Sequence, residues 1–234
     1  MNAFNHFKTR IFTFRKSFCR LLLFLLCICT GLCFSACKKE IDYFSYVSEV
    51  CDNILLAKNE TLSVRAYAVN RENPYLADGV PRERTARAEF FITVPSADKA
   101  CEIAFEVNGK MFGGDTSYDN VKAQYYFSCS VDISSLKTLP LKITYGEDVH
   151  TLTMQSVKTD KTLKPRQLLE SLRKEKSDVF TVLTDEYGFA GEIYIRLLYE
   201  EALYYYVGVI DRNGKTQAFL LNAQTGKILA QRQL

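Results

Sequence analysis

From about residue 61 the chain alternates apolar and polar positions with a period of two, the spacing that sends successive side chains to opposite faces of a strand. Ala86, Ala88, Phe90, Ile92 and Val94 share one face, against Thr85, Arg87, Glu89 and Thr93 on the other. Cys101, Ile103, Phe105 and Val107 oppose Glu102 and Glu106 in the same way. Tyr125, Phe127, Cys129, Val131 and Ile133 oppose Tyr126, Ser128, Ser130 and Asp132, and Leu139, Leu141, Ile143 and Tyr145 oppose Lys142 and Thr144. One apolar and one wet face per segment is the mark of antiparallel strands. Between the segments stand Asn70 to Asn73 with Pro74, Asp78-Gly79, Asn108-Gly109, Gly113-Gly114 and Gly146, residue types that accept the dihedrals of turns. The stretch from Ser48 to Ala57, which holds Cys51, carries a weaker pattern.

Short strands at this spacing predict a mainly β chain, with an antiparallel, immunoglobulin-like β-sandwich over residues 43–157. Residues 158–164 (KTDKTLK) are polar and predict a linker. Pro165 suits the first turn of a helix over 165–176: Leu168, Leu169 and Leu172 form its apolar stripe, and Arg173, Lys174 and Lys176 lie near its negative end. Strands are then predicted at Val179 to Leu183, Phe189 to Leu198, Leu203 to Ile210, Gln217 to Asn222 and Lys227 to Ala230. Asp211 to Gly214 and Asn222 to Gly226 read as hairpin connections. Residues 165–234 are thus expected to be a small α+β unit, one helix on an antiparallel meander.

The closing segment carries a resemblance. Tyr205-Tyr206-Val207-Gly208-Val209, then Asn213-Gly214, then Phe219 to Asn222 with Ala223-Gln224-Thr225-Gly226 and Lys227-Ile228-Leu229, resembles the second half of a PepSY-type domain. Asn222 and Asn213 stand where that pattern has Asp. The resemblance implies a cell-envelope module that modulates peptidases or senses its surroundings, and it brings no catalytic residue.

The N-terminus has a different character. Lys8, Arg10, Arg15, Lys16 and Arg20 precede an uncharged run of 16 residues, residues 21–36. A basic stretch followed by an apolar one is the pattern of a secretory signal, and the run falls short of the ~20 residues that a spanning helix needs. It ends in Phe34-Ser35-Ala36-Cys37, which resembles the lipobox of bacterial lipoproteins, with Phe34 where Leu is usual. The resemblance implies a signal peptide over 1–36, diacylglycerol on the Cys37 thiol, and residues 37–42 as a lipidated tether. Several acyl chains at about 0.8 kcal/mol per buried methylene would hold the chain to the membrane. An uncleaved signal anchor and ordinary secretory cleavage are the other two readings, and all three place the body outside the cytoplasm. The chain as a whole resembles lipoproteins of anaerobic Gram-positive bacteria.

This division changes the balance of charge. Five of the 30 basic residues and none of the 27 acidic ones lie in the first 36, which leaves 25 against 27, a net of about −2 for the remainder. No basic face supports nucleic acid as a partner. Of 8 cysteines only Cys51, Cys101 and Cys129 belong to the body. None has the spacing of a zinc site, so neither metal nor cofactor is expected. Cys101 and Cys129 both fall on apolar faces, where a core disulfide or two buried free thiols are the alternatives, with Cys51 unpaired.

Chemistry is sparse. His150 is the one histidine of the body, on a predicted strand without a nucleophile motif around it. Asp185-Glu186 and Glu200-Glu201 are adjacent in sequence and point apart on a strand. Gly113-Gly114-Asp115 lacks the Lys-Ser/Thr of a phosphate loop. No catalytic residue is expected. The clustered tyrosines are the remaining lead: alternation puts Tyr126, and either Tyr205 or its neighbours Tyr204 and Tyr206, on a wet face, and Tyr126, Tyr204 and Tyr206 are the candidate binding surface. The expectation is a lipid-anchored, extracytoplasmic, non-catalytic binding or structural module whose partners are membrane lipid and an envelope protein or peptide. The alternatives are an inhibitory or sensory module on an envelope peptidase, and an envelope hydrolase.

Overall fold

The computed structural model describes residues 40–76 and 80–234. Cys37, the segment 1–36 and the Asp78-Gly79 turn lie outside the described residues. Residues Ile41–Leu234 form one compact unit. After a short 3-10 turn at Tyr43–Tyr46 come β1 (Val47–Lys58), β2 (Ser63–Glu72), β3 (Arg84–Thr93), β4 (Cys101–Val107) and β5 (Lys110–Asp115). They are followed by β6 (Ser117–Asp119), β7 (Gln124–Cys129), β8 (Thr138–Tyr145) and β9 (Asp148–Ser156). Two helices, α1 (Pro165–Glu175) and α2 (Ser177–Val182), lead into β10 (Thr184–Asp185), β11 (Gly188–Phe189), β12 (Glu192–Tyr199), β13 (Leu203–Ile210), β14 (Thr216–Asn222) and β15 (Ile228–Gln233).

The protein is mainly β, and among the described residues its ladders are antiparallel except for the parallel one between β1 and β12. The strand order runs β15-β14-β13-β12-β1-β2-β3-β7-β6, and a branch from β1 runs through β9 and β8 to β4 and β5. β1 therefore has two neighbours in succession along one edge: β12 beside Val47 to Cys51, then β9 beside Leu55 and Leu56.

Two apolar cores follow from this branching. Ala66, Ala88, Phe90, Ile92, Ile103, Phe105, Leu141, Ile143 and Met154 meet in the first, so the alternating positions of β2, β3, β4, β8 and β9 fill one interior. The second gathers Leu168, Leu169 and Leu172 of α1 over Ile193, Ile195, Tyr205, Val207 and Phe219. Adjacent residues of β1 serve both: Ile54 packs in the second core and Leu55 in the first. Each side chain of a strand points opposite to the next, so a long strand buried on both faces joins the two interiors.

A bulge lies in the middle of β1, where the register with β2 shifts between Cys51 and Asn53. The extra residue is Asp52, and the local kink turns Asn53 inward. Asn53 is 1% exposed. Its Nδ2 donates to the carbonyl oxygens of Ile133 (3.2 Å) and Leu136 (3.0 Å), and its Oδ1 accepts from Ser156 Oγ (2.6 Å).

Asp52 itself is half-buried, and burial raises its carboxyl above 3.8 against the opposing pull of Lys158, 4.0 Å away. A folded-state pKa above the unfolded one means that the ionised form costs stability above both values. Asp52→Asn should therefore be more stable than wild type at about pH 7, and the gain should shrink as pH falls through the raised value and vanish below 3.8. Urea melts at the two ends of that range check this; a less stable Asn variant at neutral pH would show that the Lys158 pair outweighs burial.

Three local expectations are corrected. Val179 to Leu183, expected as a strand, lies in α2 and its end: Thr181 Oγ1 donates to the Ser177 carbonyl (2.7 Å). Phe180 is 1% exposed there, so a single helical turn buries it where strand alternation would bury a row. Gly113-Gly114, expected as a turn, runs within β5, where a Cβ at 113 would collide with the Ile103 carbonyl oxygen of β4. The expected strand from Phe189 to Leu198 breaks at Ala190-Gly191, and Phe189 pairs in the small β10–β11 ladder.

The polar stretch 158–164 is tied down at its end. Leu163 N donates to the Ala223 carbonyl (2.9 Å) and Tyr205 Oη donates to the Leu163 carbonyl (3.0 Å). Together with the shared strand β1, these bonds join the two expected parts, 43–157 and 165–234, into one unit.

Candidate functional site

Cross-strand partners share a face of a sheet. The register pairs Leu56 of β1 with Arg65 of β2, Arg65 with Phe91 of β3, Phe91 with Tyr126 of β7, and Tyr126 with Ser117 of β6. This row lies opposite the residues that fill the first core, and it is rich in aromatic and basic groups. The Phe91 ring lies 5.2 Å from that of Tyr126 and 5.7 Å from that of Tyr67, and Lys122 Nζ stands 5.2 Å from the Phe91 centroid. Arg65 Nη1 donates to Tyr67 Oη (3.3 Å).

Around these groups is a trough of about 680 Å³. Among the described residues its charged lining groups are Lys58, Arg65 and Lys122, with no carboxylate. Lys58 and Lys122 are exposed. Farther along the same face of β2 and β3 the charges alternate: Arg196 Nε to Glu49 Oε1 is 2.8 Å, Arg71 Nε to Glu49 Oε2 is 3.3 Å, and Arg71 Nη2 to Glu89 Oε1 is 2.9 Å. That ladder neutralises itself across four strands, which leaves the trough as the cationic end of the face.

Of the three tyrosines marked by sequence, the structure puts Tyr126 beside the trough and the other two elsewhere. Tyr204 and Tyr206 stand on β13, five strands from β7 in the sheet order, or about 24 Å at the usual strand spacing. Tyr206 pairs with Tyr194, whose Oη lies 3.3 Å from its own. The Tyr194 ring covers Gly208, where any Cβ would collide with it. Burial and then the Tyr206 hydrogen bond push the Tyr194 phenol upward, and burial does the same to Tyr205, the fully buried neighbour.

Cys51, Cys101 and Cys129 are all free thiols. Cys101 pairs across to Tyr145 of β8 and Cys129 to Ala88 of β3, so they belong to different ladders, without the Cys101–Cys129 bridge weighed from sequence. Burial raises all three, Cys51 to about 12, which keeps their sulfurs in the poorly nucleophilic thiol form. His150 Nδ1 lies 3.4 Å from Asn59 Nδ2, and its Nε2 is buried with no hydrogen-bond partner. Among the described residues no group of three or more His, Cys, Asp or Glu is placed to hold a metal ion. No helix among them is long and apolar enough to cross a membrane.

A second concavity, of about 840 Å³, opens where the β10–β11 ladder meets the 3-10 turn before β1, the start of β12 and the end of β13. Tyr46, Tyr75, Tyr187 and Glu192 line it. Neither the trough nor this groove was assembled from the sequence pattern, although Phe91 carried a signal: it is a large aromatic out of phase with the apolar face of Ala88, Phe90 and Ile92. Tyr46, Tyr75 and Tyr187 are far apart in the chain and carried none.

No family model, no curated protein and no solved structure matches this chain.

Proposed function

We propose that this chain is a membrane-tethered, extracytoplasmic binding module without catalytic activity, and that its trough on the β1–β2–β3 face holds an acidic segment of an envelope protein or peptide. The observation that carries the binding half is the trough's lining: among the described residues it holds three basic side chains and no acid, while Glu89, the cross-strand partner of Tyr67, is paired with Arg71 outside it. Large flat rings give contact area at little entropic cost, and the lysines and arginine select charge and speed encounter. Phe34-Ser35-Ala36-Cys37 supports the lipid tether at the outer face of the membrane. The finer fold reading belongs to the same proposal: an immunoglobulin-like sandwich around the first core, and a PepSY-like α+β unit around the second. The Asn222 turn supports the latter, since its Oδ1 accepts from the Gln224 and Thr225 amides as an Asp would.

The test is titration of the full-length chain with an acidic, aromatic-containing peptide against a neutral peptide of the same length. Wild type should bind the acidic peptide, more weakly as salt rises, and the exposed-site variant Lys122→Glu should bind at least tenfold more weakly. Equal affinity for both peptides, or for wild type and variant, contradicts the reading. Preference for an acidic polysaccharide over the peptide would replace the partner class.

A further inference from the structure

Large exposed apolar side chains are scattered over most protein surfaces, but a concentration of them around one concavity marks a binding site. Here Tyr75 (53% exposed), Val80 (56%) and Tyr187 (89%) line the groove at the β10–β11 ladder, and Leu76 (49%) lines the small pocket that continues it. The floor is made by residues that leave space. Gly188 has φ +133°, and a Cβ there would stand 2.8 Å from Tyr46 Oη. A Cβ at Gly191 would stand 2.8 Å from the Phe189 ring and 2.9 Å from the Ile210 carbonyl oxygen.

The polar groups of the groove have one prevailing sign. Among the described residues Asp185, Glu192 and Asp211 line it against one cation, Arg212, whose Nη2 is 3.4 Å from Asp185 Oδ2. Asp211 Oδ1 is taken by the amides of Asn213 and Lys215 in the β13–β14 turn. Glu192 is held differently: Oε1 accepts from Ser48 Oγ (2.6 Å) and Oε2 accepts from Tyr75 Oη (2.9 Å). Both donors are neutral hydroxyls, so they orient the carboxylate without cancelling its charge, and each oxygen retains a lone pair. Burial and then the Glu192 hydrogen bond push the Tyr75 phenol up to about 12, which keeps it a donor.

We propose that this groove binds an organic cation, an alkylammonium or guanidinium group on an apolar body, with the charge against Glu192 and the body among Tyr75, Tyr187 and Val80. Charge complementarity and the attraction of a cation to tyrosine faces act on the same group. The ligand arrives either as a free amine or as a basic side chain of a peptide. This site is separate from the cationic trough and takes the opposite charge.

The chain has no tryptophan, so Tyr187→Trp places a sole indole reporter at the rim of the groove. The full-length Tyr187→Trp protein is titrated with phenethylammonium, with acetyl-Phe-Arg-amide and with the neutral isostere phenethyl alcohol. Saturable fluorescence change with the two cations, at least tenfold weaker for the alcohol, is the expected outcome. Tighter binding of the peptide assigns the peptide source, and equal or weaker binding assigns a free amine. Adding Glu192→Gln should weaken cation binding at least tenfold; because Glu192 also anchors Ser48 and Tyr75, Asp185→Asn serves as a second charge variant with about threefold weakening. No saturable change with either cation, or equal affinity for phenethylammonium and the alcohol, overturns the proposal.

Discussion

Leu55→Ala and Ile54→Ala should each cost about 3 kcal/mol, and both should lower one and the same unfolding transition. The magnitude is that of a large aliphatic side chain deleted from a site that cannot collapse: the two residues are 0% and 1% exposed. The shared transition is the informative part. Leu55 packs in the first core and Ile54 in the second, so two independently folding units would each answer to one substitution. β1 carries the ladders to β2, β9 and β12 together, and losing packing on either face loosens all three. Urea melts followed by circular dichroism and by tyrosine fluorescence check this. Coincident midpoints are expected for wild type and both variants. Two transitions, with only one moved by Ile54→Ala, would mean that β1 does not couple the cores.

Asn53→Leu should cost about 3 kcal/mol or more while keeping the branched shape and the number of heavy atoms. The buried amide holds the Ile133 and Leu136 carbonyls and accepts from Ser156 Oγ. A leucine leaves the Leu136 carbonyl and the Ser156 hydroxyl proton without that partner and leaves the Ile133 carbonyl only the Leu136 amide at 3.3 Å; each buried unsatisfied group costs about 1–3 kcal/mol. The segment that Asn53 pins follows β7 and joins it to β8, so the variant should also show faster proteolysis after Ile133. A midpoint shift in urea at unchanged slope measures the effect; a loss under 1 kcal/mol would mean that water satisfies those carbonyls as well.

Much of the fold was legible because period-two alternation records one-sided burial directly. β3, β4 and β8 carry the alternation read from sequence, with Ala88, Phe90 and Ile92, then Cys101, Ile103 and Phe105, then Leu139, Leu141 and Ile143 all buried. The helix starting at Pro165 was legible for the same reason at a different period. β1 was not, because a strand buried on both faces shows no alternation, and its pattern is interrupted by the bulge at Asp52. Its parallel pairing with β12 joins residues nearly 150 positions apart, which no local pattern records. α2 was misread because Val179, Phe180, Thr181 and Val182 favour strands, and tertiary packing of Phe180 overrode that preference.

The candidate site divides along similar lines. Tyr126 was reachable as an aromatic on a wet face. Its partner Phe91, and the Tyr67 and Lys122 that Phe91 touches in turn, depend on strand order, which the sequence leaves open. Tyr204 and Tyr206 obeyed the same rule of alternation, yet Tyr206 is engaged with Tyr194 over Gly208. An outward-facing tyrosine marks a surface; only its neighbours decide whether that surface is open to a ligand.

The central claim is that an acidic partner lies in the cationic trough, and hydroxyl-radical footprinting of the full-length chain with the acidic peptide tests it most directly. Oxidation of Tyr126, Phe91 and Tyr67 should fall together on saturation, while Tyr187, 89% exposed at the other concavity, stays as reactive as in the free protein. Unchanged oxidation of Phe91 and Tyr67 in the trough and of Tyr126 beside it, or protection confined to Tyr187 and Tyr75, would contradict it.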